Sequence, residues 1–257
     1  MQSDVELAKR VELESLVKKS RVPAQLDYIQ SATGLILGLF MWGHMLFVSS
    51  ILISKDAMYF VTKMMEGEYV LGEAHPEIVT VTAIFIFIVF ITHALIAIRK
   101  FPGSYKQFRV FREHAVRFKH SDTNLWFIQV ITGFTMFFLG SIHLFVIMVN
   151  SDNIGPYASA DRMVSGWMWP LYLLLLVAVE FHGSIGLYRL CVKWGWFEGK
   201  DAKASRKNLK KIKWAITIFF MGLGLATLAA YMKIGYEHKD KAGERYVPTY
   251  ISAKVAS

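Results

Sequence analysis

The sequence contains one cysteine, Cys191, among 257 residues. A single thiol closes no internal disulfide and cannot supply the four thiolates of an ordinary iron–sulfur cluster, so any such centre belongs to a partner. Charge is scarce as well. Only 19% of residues are Asp, Glu, Lys or Arg against 54% hydrophobic, and mean hydropathy is +0.36, which excludes an ordinary soluble domain and indicates an integral membrane protein. Residues 1–21 lack the apolar stretch of a cleavable signal peptide and are rich in Lys, Arg, Asp and Glu, so they read as an arm on the membrane surface. Net charge is +9, yet the basic residues neither cluster in one patch nor interleave with exposed aromatics, which argues against nucleic acid as a partner.

What the chain does have is apolar runs of spanning length. About 20 helical residues cross a hydrocarbon core of about 30 Å. Five segments qualify, near residues 26–53, 78–98, 125–149, 169–191 and 212–232. The expected fold is therefore all-α, an integral membrane bundle of five transmembrane helices. Of the 29 Lys and Arg, 21 lie in the N-terminal arm and in the segments 99–119 and 189–213, and 8 lie in the opposite linkers and tail. This places the N-terminus in the cytoplasm and the C-terminus outside. Three parts follow: a cytoplasmic arm (1–21), a membrane domain (22–237) and a periplasmic tail (238–257) that carries no motif. Between the spans, residues 63–77 and 150–166 read as outer loops, 100–120 as a basic, aromatic segment along the cytoplasmic surface, and 194–213 as a basic loop suited to anionic lipid or an acidic partner.

Eight histidines are present. His75, His114, His120 and His238 fall in loops or the tail and read as solvated surface residues. His44, His93, His143 and His182 lie within spans, one on each of the first four, where an ionisable group needs a partner. His44 is 21 residues beyond Pro23 and His143 is 21 beyond Asp122, about 30 Å from the cytoplasmic start. On the returning spans, His93 precedes Arg99 by 6 residues and His182 precedes Arg189 by 7, about 10 Å from the cytoplasmic end. Two pairs at two depths predict two stacked haems, His44 with His143 on the outer iron and His93 with His182 on the inner. Iron held by imidazole on both faces suits electron transfer.

Local patterns agree. Thr33–Gly34 and Thr132–Gly133 each precede a histidine by the same interval, and HALIAI after His93 resembles HGSIGL after His182. Spans one and two thus weakly repeat spans three and four, which predicts a pseudo-two-fold axis along the membrane normal. Ala97, Gly186 and Gly140 stand on the histidine faces and leave room for a flat macrocycle, although helix packing explains such small residues equally well. Haem propionates need positive charge and donors near the interface. Lys100 and Arg189 follow a histidine by seven residues, Lys193 is a turn further, and Gln30, Ser31 and Trp126 share that level. Arg162, the lone basic residue of the second outer loop, is the outer candidate. Glu180 is the one carboxylate in the body of a span and reads as a proton-route residue or a packing acid. Glu66, among Met64, Met65 and Gly67, reads as a solvated loop acid or a functional one.

In QSATGLILGLFMWGH, VTKMMEGE, ITHALIAIRKFP, TGFTMFFLGSIH, RMVSGWMWPLYL and VEFHGSIGLYRLCVKWGWF, in order and spacing over essentially the whole chain, the sequence resembles the di-haem cytochrome b membrane subunits of quinol:fumarate reductases with a single five-helix anchor, within the succinate:quinone oxidoreductase superfamily. The resemblance implies two haem b groups with the ligand pairs above, and menaquinol as substrate. It implies that Glu66 accepts a proton from menaquinol near the outer haem and that Glu180 belongs to a transmembrane proton pathway. Gln30, Ser31, Trp126, Lys193 and Arg162 are similar to the family's haem-contacting residues. Implied partners are an iron–sulfur subunit and an FAD flavoprotein subunit on the cytoplasmic side of a bacterial inner membrane, with a dimer of the heterotrimer. Rival readings are the same architecture run as a succinate:quinone reductase, a cytochrome b serving a hydrogenase or formate dehydrogenase, and, from another class, a transition-metal transporter built on the four histidines.

Overall fold

The computed structural model describes residues 20–118 and 121–251, and its regular elements among these are all helical. The order is α1 (Val22–Val48), a 3₁₀ turn (Ser49–Leu52), α2 (Lys55–Met65), α3 (Glu68–Leu71), α4 (Pro76–Ile98), α5 (Tyr105–Phe118), α6 (Ser121–Val149), α7 (Pro156–Val164), α8 (Trp169–Trp194), α9 (Ala202–Glu237) and a second 3₁₀ turn (Lys239–Lys241). Five helices, α1, α4, α6, α8 and α9, are long and apolar enough to cross a membrane. The chain is a multi-pass membrane protein. Their outward faces expose large apolar side chains such as Leu39, Phe85, Ile131, Phe138 and Phe219, as helices bathed in lipid require.

Helix starts follow the local chemistry. Proline occupies the first turn of α1, α4, α7 and α8, where its missing N–H has no intrahelical partner to lose. Ser54 caps α2 by accepting a bond from Ala57 N, a contact worth about 1 kcal/mol. Asp201 caps α9 by accepting from Lys203 N and Ala204 N.

Neighbouring helices α1, α4, α6 and α8 close a ring, in that order, and α9 packs outside it against α8, α7 and α1. In such a ring α1 lies diagonal to α6, and α4 to α8. Cofactor sites in helix bundles are built from side chains on facing helices. At the end where α1 begins lie Arg99, Lys100, Arg189 and Lys193, and this is called the basic end. The opposite, far end holds a separate core of Ile51, Met58, Ala160, Met163, Val164 and Tyr231, which joins the 3₁₀ turn, α2, α7 and α9.

The far end is where the structure departs from the loop readings. Residues 55–65, of which 63–65 were read as loop, form the helix α2, whose Met58 and Thr62 are buried, and residues 156–164, read as loop throughout, form α7, whose inner face is buried against α9. On the other side, α9 starts at Ala202, ten residues before the apolar run, because the capped polar turns continue into it. The tail is also not a plain solvated extension. His238 is only 7% exposed, stacked on Tyr157 at 3.9 Å, and its Nδ1 lies 3.1 Å from Asp161, so its reading as a surface residue is corrected. His75 keeps a partly exposed side chain. His120 lies outside the described residues, as do residues 1–19 of the arm.

Candidate functional site

The four intramembrane histidines meet as the two predicted pairs. His44 of α1 and His143 of α6 have ring centres 6.1 Å apart, and His93 of α4 and His182 of α8 have ring centres 6.4 Å apart. Each pair spans a diagonal of the four-helix ring. Metal–imidazole bonds of about 2.0–2.1 Å on both faces of one ion set ring centres about 6.3 Å apart. Both pairs therefore have the spacing of two axial ligands. Among the described residues no three His, Cys, Asp or Glu side chains gather around one point, so each pair stands by itself.

What aims the rings is a seat repeated in the sequence. Gln30-x-x-Thr33-Gly34 recurs as Gln129-x-x-Thr132-Gly133, and both seats precede the next histidine of their own helix by equal intervals. His93 packs on the first seat, with Nδ1 3.1 Å from Thr33 Oγ1. His182 packs on the second, with Nδ1 2.8 Å from the Gln129 carbonyl oxygen. A Cβ at Gly34 would meet His93 Cε1 at 2.9 Å, and one at Gly133 would meet His182 Cε1 at 2.9 Å, so each ring edge stands where glycine leaves space. Engaging Nδ1 leaves Nε2 to point into the bundle, the arrangement that fixes a ligating imidazole. At the far pair, His143 Nδ1 is 3.1 Å from Tyr172 Oη, and Phe40 stacks on His44 at 5.8 Å. The seat residues Thr33, Gly34 and Gly133 were visible as a repeat but not as ring seats, whereas Gln129 and Tyr172 were not singled out in the sequence.

Between His93 and His182 lies a cavity of about 630 Å³. It brings together the predicted Gln30, Ser31, Lys100, Trp126, Arg189 and Lys193, with Ala97 and Gly186 in its wall. Lys193 Nζ donates to Ser31 Oγ at 3.1 Å, and Arg189 donates to Gln129 Oε1 at 3.2 Å. Asp27, which the sequence did not single out, pairs with Arg99, with Lys100 at 3.1 Å and with Lys193 at 3.7 Å. Three cations on one carboxylate leave positive charge over at the mouth of the cavity, where carboxylates of a bound cofactor would find it. The buried Gln30 Oε1 has no hydrogen-bond partner within the described chain. Gly140 faces Phe90. At the far end, Arg162 stands beside Tyr172 and donates to the Asn153 carbonyl at 2.9 Å.

The two acids are both buried. Glu66 is 2% exposed and accepts a 2.6 Å bond from Lys63 Nζ, so the solvated alternative fails. Burial works against the Lys63 charge, but the hydrogen bond and charge of Glu66 outweigh it and hold Lys63 above the usual lysine value. Glu180 is fully buried, and neither of its oxygens has a partner within the described chain. Ser184 Oγ one turn along α8, Trp42 Nε1 and Lys213 Nζ are likewise buried without a hydrogen-bond partner within the described chain, Lys213 Nζ lying over the Trp214 ring at 3.2 Å. Leu176 packs on Gly224, and Tyr188 lies near Lys210, so the antiparallel register of α8 and α9 sets Ser184 level with the segment from Lys213 to Thr217. Glu180 thus belongs to a polar seam between α8 and α9, on a different face from His182, which turns to α6.

A five-span bundle that sets imidazoles in facing pairs along its diagonals, beside a cavity rimmed with cations, fits a class: the membrane proteins that carry porphyrin iron between helices. Comparison with known proteins narrows it. The family described as succinate dehydrogenase/fumarate reductase transmembrane subunit matches residues 107–223. A fumarate reductase cytochrome b subunit of Wolinella succinogenes is 55% identical over 223 residues, covering 87% of this chain and 87% of its own. One from Helicobacter pylori J99 is 54% identical over 224 residues, covering 87% and 86%. The chain belongs to the family of succinate dehydrogenase and fumarate reductase transmembrane subunits.

Proposed function

We propose that this chain is the di-haem cytochrome b anchor of a menaquinol:fumarate reductase, with its basic end in the cytoplasm. The observation that carries the proposal is the pairing of four imidazoles across the bundle diagonals at two depths, with ring separations of 6.1 and 6.4 Å. His44 and His143 would hold the outer haem, and His93 and His182 the inner. Haem iron held by these imidazole pairs would supply one-electron transfer from quinol toward iron–sulfur and FAD subunits docked on the basic end. Gln30, Ser31, Lys100, Trp126, Arg189 and Lys193 would bind the inner group, and Arg162 the outer one. The relatives' description as fumarate reductase subunits favours this direction over succinate oxidation and over the hydrogenase and transporter readings.

Glu66 has the placement of a base for quinol oxidation. It is buried at the far end, beyond α2, where a quinol entering from the bilayer would lose protons together with its electrons. Lys63 orients the carboxylate at 2.6 Å. The exposed rings of Phe60 on α2 and Tyr69 on α3 pair nearby in the chain, with centres 4.7 Å apart. Glu180 supports a different role. An unpartnered polar group in an apolar interior costs about 2–7 kcal/mol, a large penalty for a residue with only a packing role. Its seam with Ser184 and Lys213 runs toward the basic end and suits a proton moving inward alongside the electrons.

The test is the purified complex with its soluble partners. Two haems per chain are expected in the reduced-minus-oxidised spectrum, along with menaquinol-driven fumarate reduction; a colourless preparation refutes the proposal. Glu66→Gln should abolish quinol oxidation while both haems and fumarate reduction by an artificial donor persist. Unchanged quinol turnover would reject its role.

A further inference from the structure

The tail beyond α9 carries no family motif, yet it is folded down against the far end by two carboxylates. Asp161 of α7 receives His238 Nδ1 at 3.1 Å and Gly243 N at 2.9 Å. Asp56, in the first turn of α2, receives Tyr246 Oη at 2.8 Å, Thr249 N at 3.1 Å and the Thr249 hydroxyl. Between these clasps the Tyr246 ring meets Tyr157 edge-on at 5.1 Å and Tyr59 at 6.1 Å, with Lys55 Nζ 5.9 Å from its centre. Pro248 is almost wholly buried. A solvated extension has no use for so many specific bonds, each of which must offset the entropy of ordering the chain.

The second clasp lands on the helix that leads to Glu66. Asp56 and Glu66 are ten residues apart, about 15 Å along one helical rod. α2 is short, lies outside the spans, and is held from below by Met58 and Thr62. A short helix moves as a unit, so what fixes its first turn fixes the carboxylate just past its last.

We propose that residues 238–251 form a strap that fixes α2 against α7 and α9, and that Asp56, through its bonds to Tyr246 and Thr249, is a positioning residue for Glu66 in quinol oxidation. The inference rests on the reading of Glu66 as the proton acceptor. Asp56 stays outside the reacting atoms and acts through the helix. Displacing a reacting group by about 1 Å can cost up to about a hundredfold in rate, so loosening one end of α2 has a measurable consequence.

The experiment uses the complete complex and three changes: removal of residues 246–257, the tail-side pair Tyr246→Phe with Thr249→Val, and Asp56→Asn on the helix side. Quinol-driven turnover per haem should fall about tenfold in the truncated complex and in the same direction in the other two. Haem content, optical spectrum and artificial-donor fumarate reduction should hold. Because all three break one contact, adding Asp56→Asn to the truncation should cause no further loss. The pH profile of quinol oxidation should move in the truncated and tail-side variants alike, a change that loss of folded protein does not produce. Unaltered turnover and pH profile in the truncated complex overturn the proposal. So does a loss of quinol activity matched by equal loss of haem and artificial-donor activity, which assigns the tail to folding alone. Glu66→Gln in the intact chain separates the two ideas: loss there without loss on truncation removes the strap and leaves the quinol reading, and retention there removes the reading itself.

Discussion

Each ring of the basic-end pair is aimed by a glycine and a backbone or hydroxyl oxygen of the neighbouring helix, so a residue one helix away should control a cofactor it does not ligate. Gly34→Val or Gly133→Val places carbon where a ring edge stands, 2.9 Å from Cε1. The expected outcome is loss or displacement of the inner haem with the outer one intact, read by haem stoichiometry and low-temperature spectra. A full complement with unchanged spectrum would show that the seats are dispensable. The pairing makes a sharper prediction. His93→Ala and His182→Ala should abolish one and the same spectral component, and His44→Ala and His143→Ala the other. At the far pair, Tyr172→Phe removes the group beside His143 Nδ1, and it should shift the potential of the outer haem while leaving the inner one unmoved.

At the scale of elements, the amphipathic α2 and the strap form one far-end assembly whose electrostatics set a pH dependence. The hydroxyls of Thr249 and Tyr246, then the Thr249 N–H, hold the Asp56 carboxyl below its ordinary value of 3.8. A carboxylate lowered in the folded state contributes its stabilisation in full above that ordinary value and loses it as pH falls through the lower native one. The strap should therefore stay docked down to pH 3.8 and loosen below it, detected as pepsin cleavage near Val247 in the acid range. Asp56→Asn should make that cleavage insensitive to pH over the same range. The Lys63 ammonium beside this assembly, held above its ordinary value by Glu66, does not compete for the transition. This assembly is also where sequence reading went furthest astray. The segment 55–65 is short, about half polar and followed closely by Gly67, so its helical face emerges only when Met58 and Thr62 are seen packed beneath it.

For the whole molecule, an odd number of spans puts the two termini at opposite ends, and the charge asymmetry predicts which end faces the cytoplasm. With Cys191 replaced by Ala, single cysteines at exposed positions of the two ends should report it. Lys200→Cys should label only in inverted vesicles, and Lys239→Cys in right-side-out cells. The reverse pattern would turn the electron route around and deny the partner subunits their place on the basic end. Legibility at this scale was high. Apolar runs of fixed length give five spans whatever the packing, and the histidine depths follow from a constant rise per residue.

What the sequence by itself determined is what depends on distance along the chain: span number, histidine depth, the two-pair arrangement and the cations near the inner pair, because helix geometry converts residue number into height. What only the tertiary structure decided is what depends on rotation and on contacts across the chain. The seats at Gly34 and Gly133, the Tyr172 contact, Asp27 among three cations, buried Glu66 and the clasped tail all join residues from different helices. No local pattern specifies which face of one helix meets which face of another; side-chain packing does.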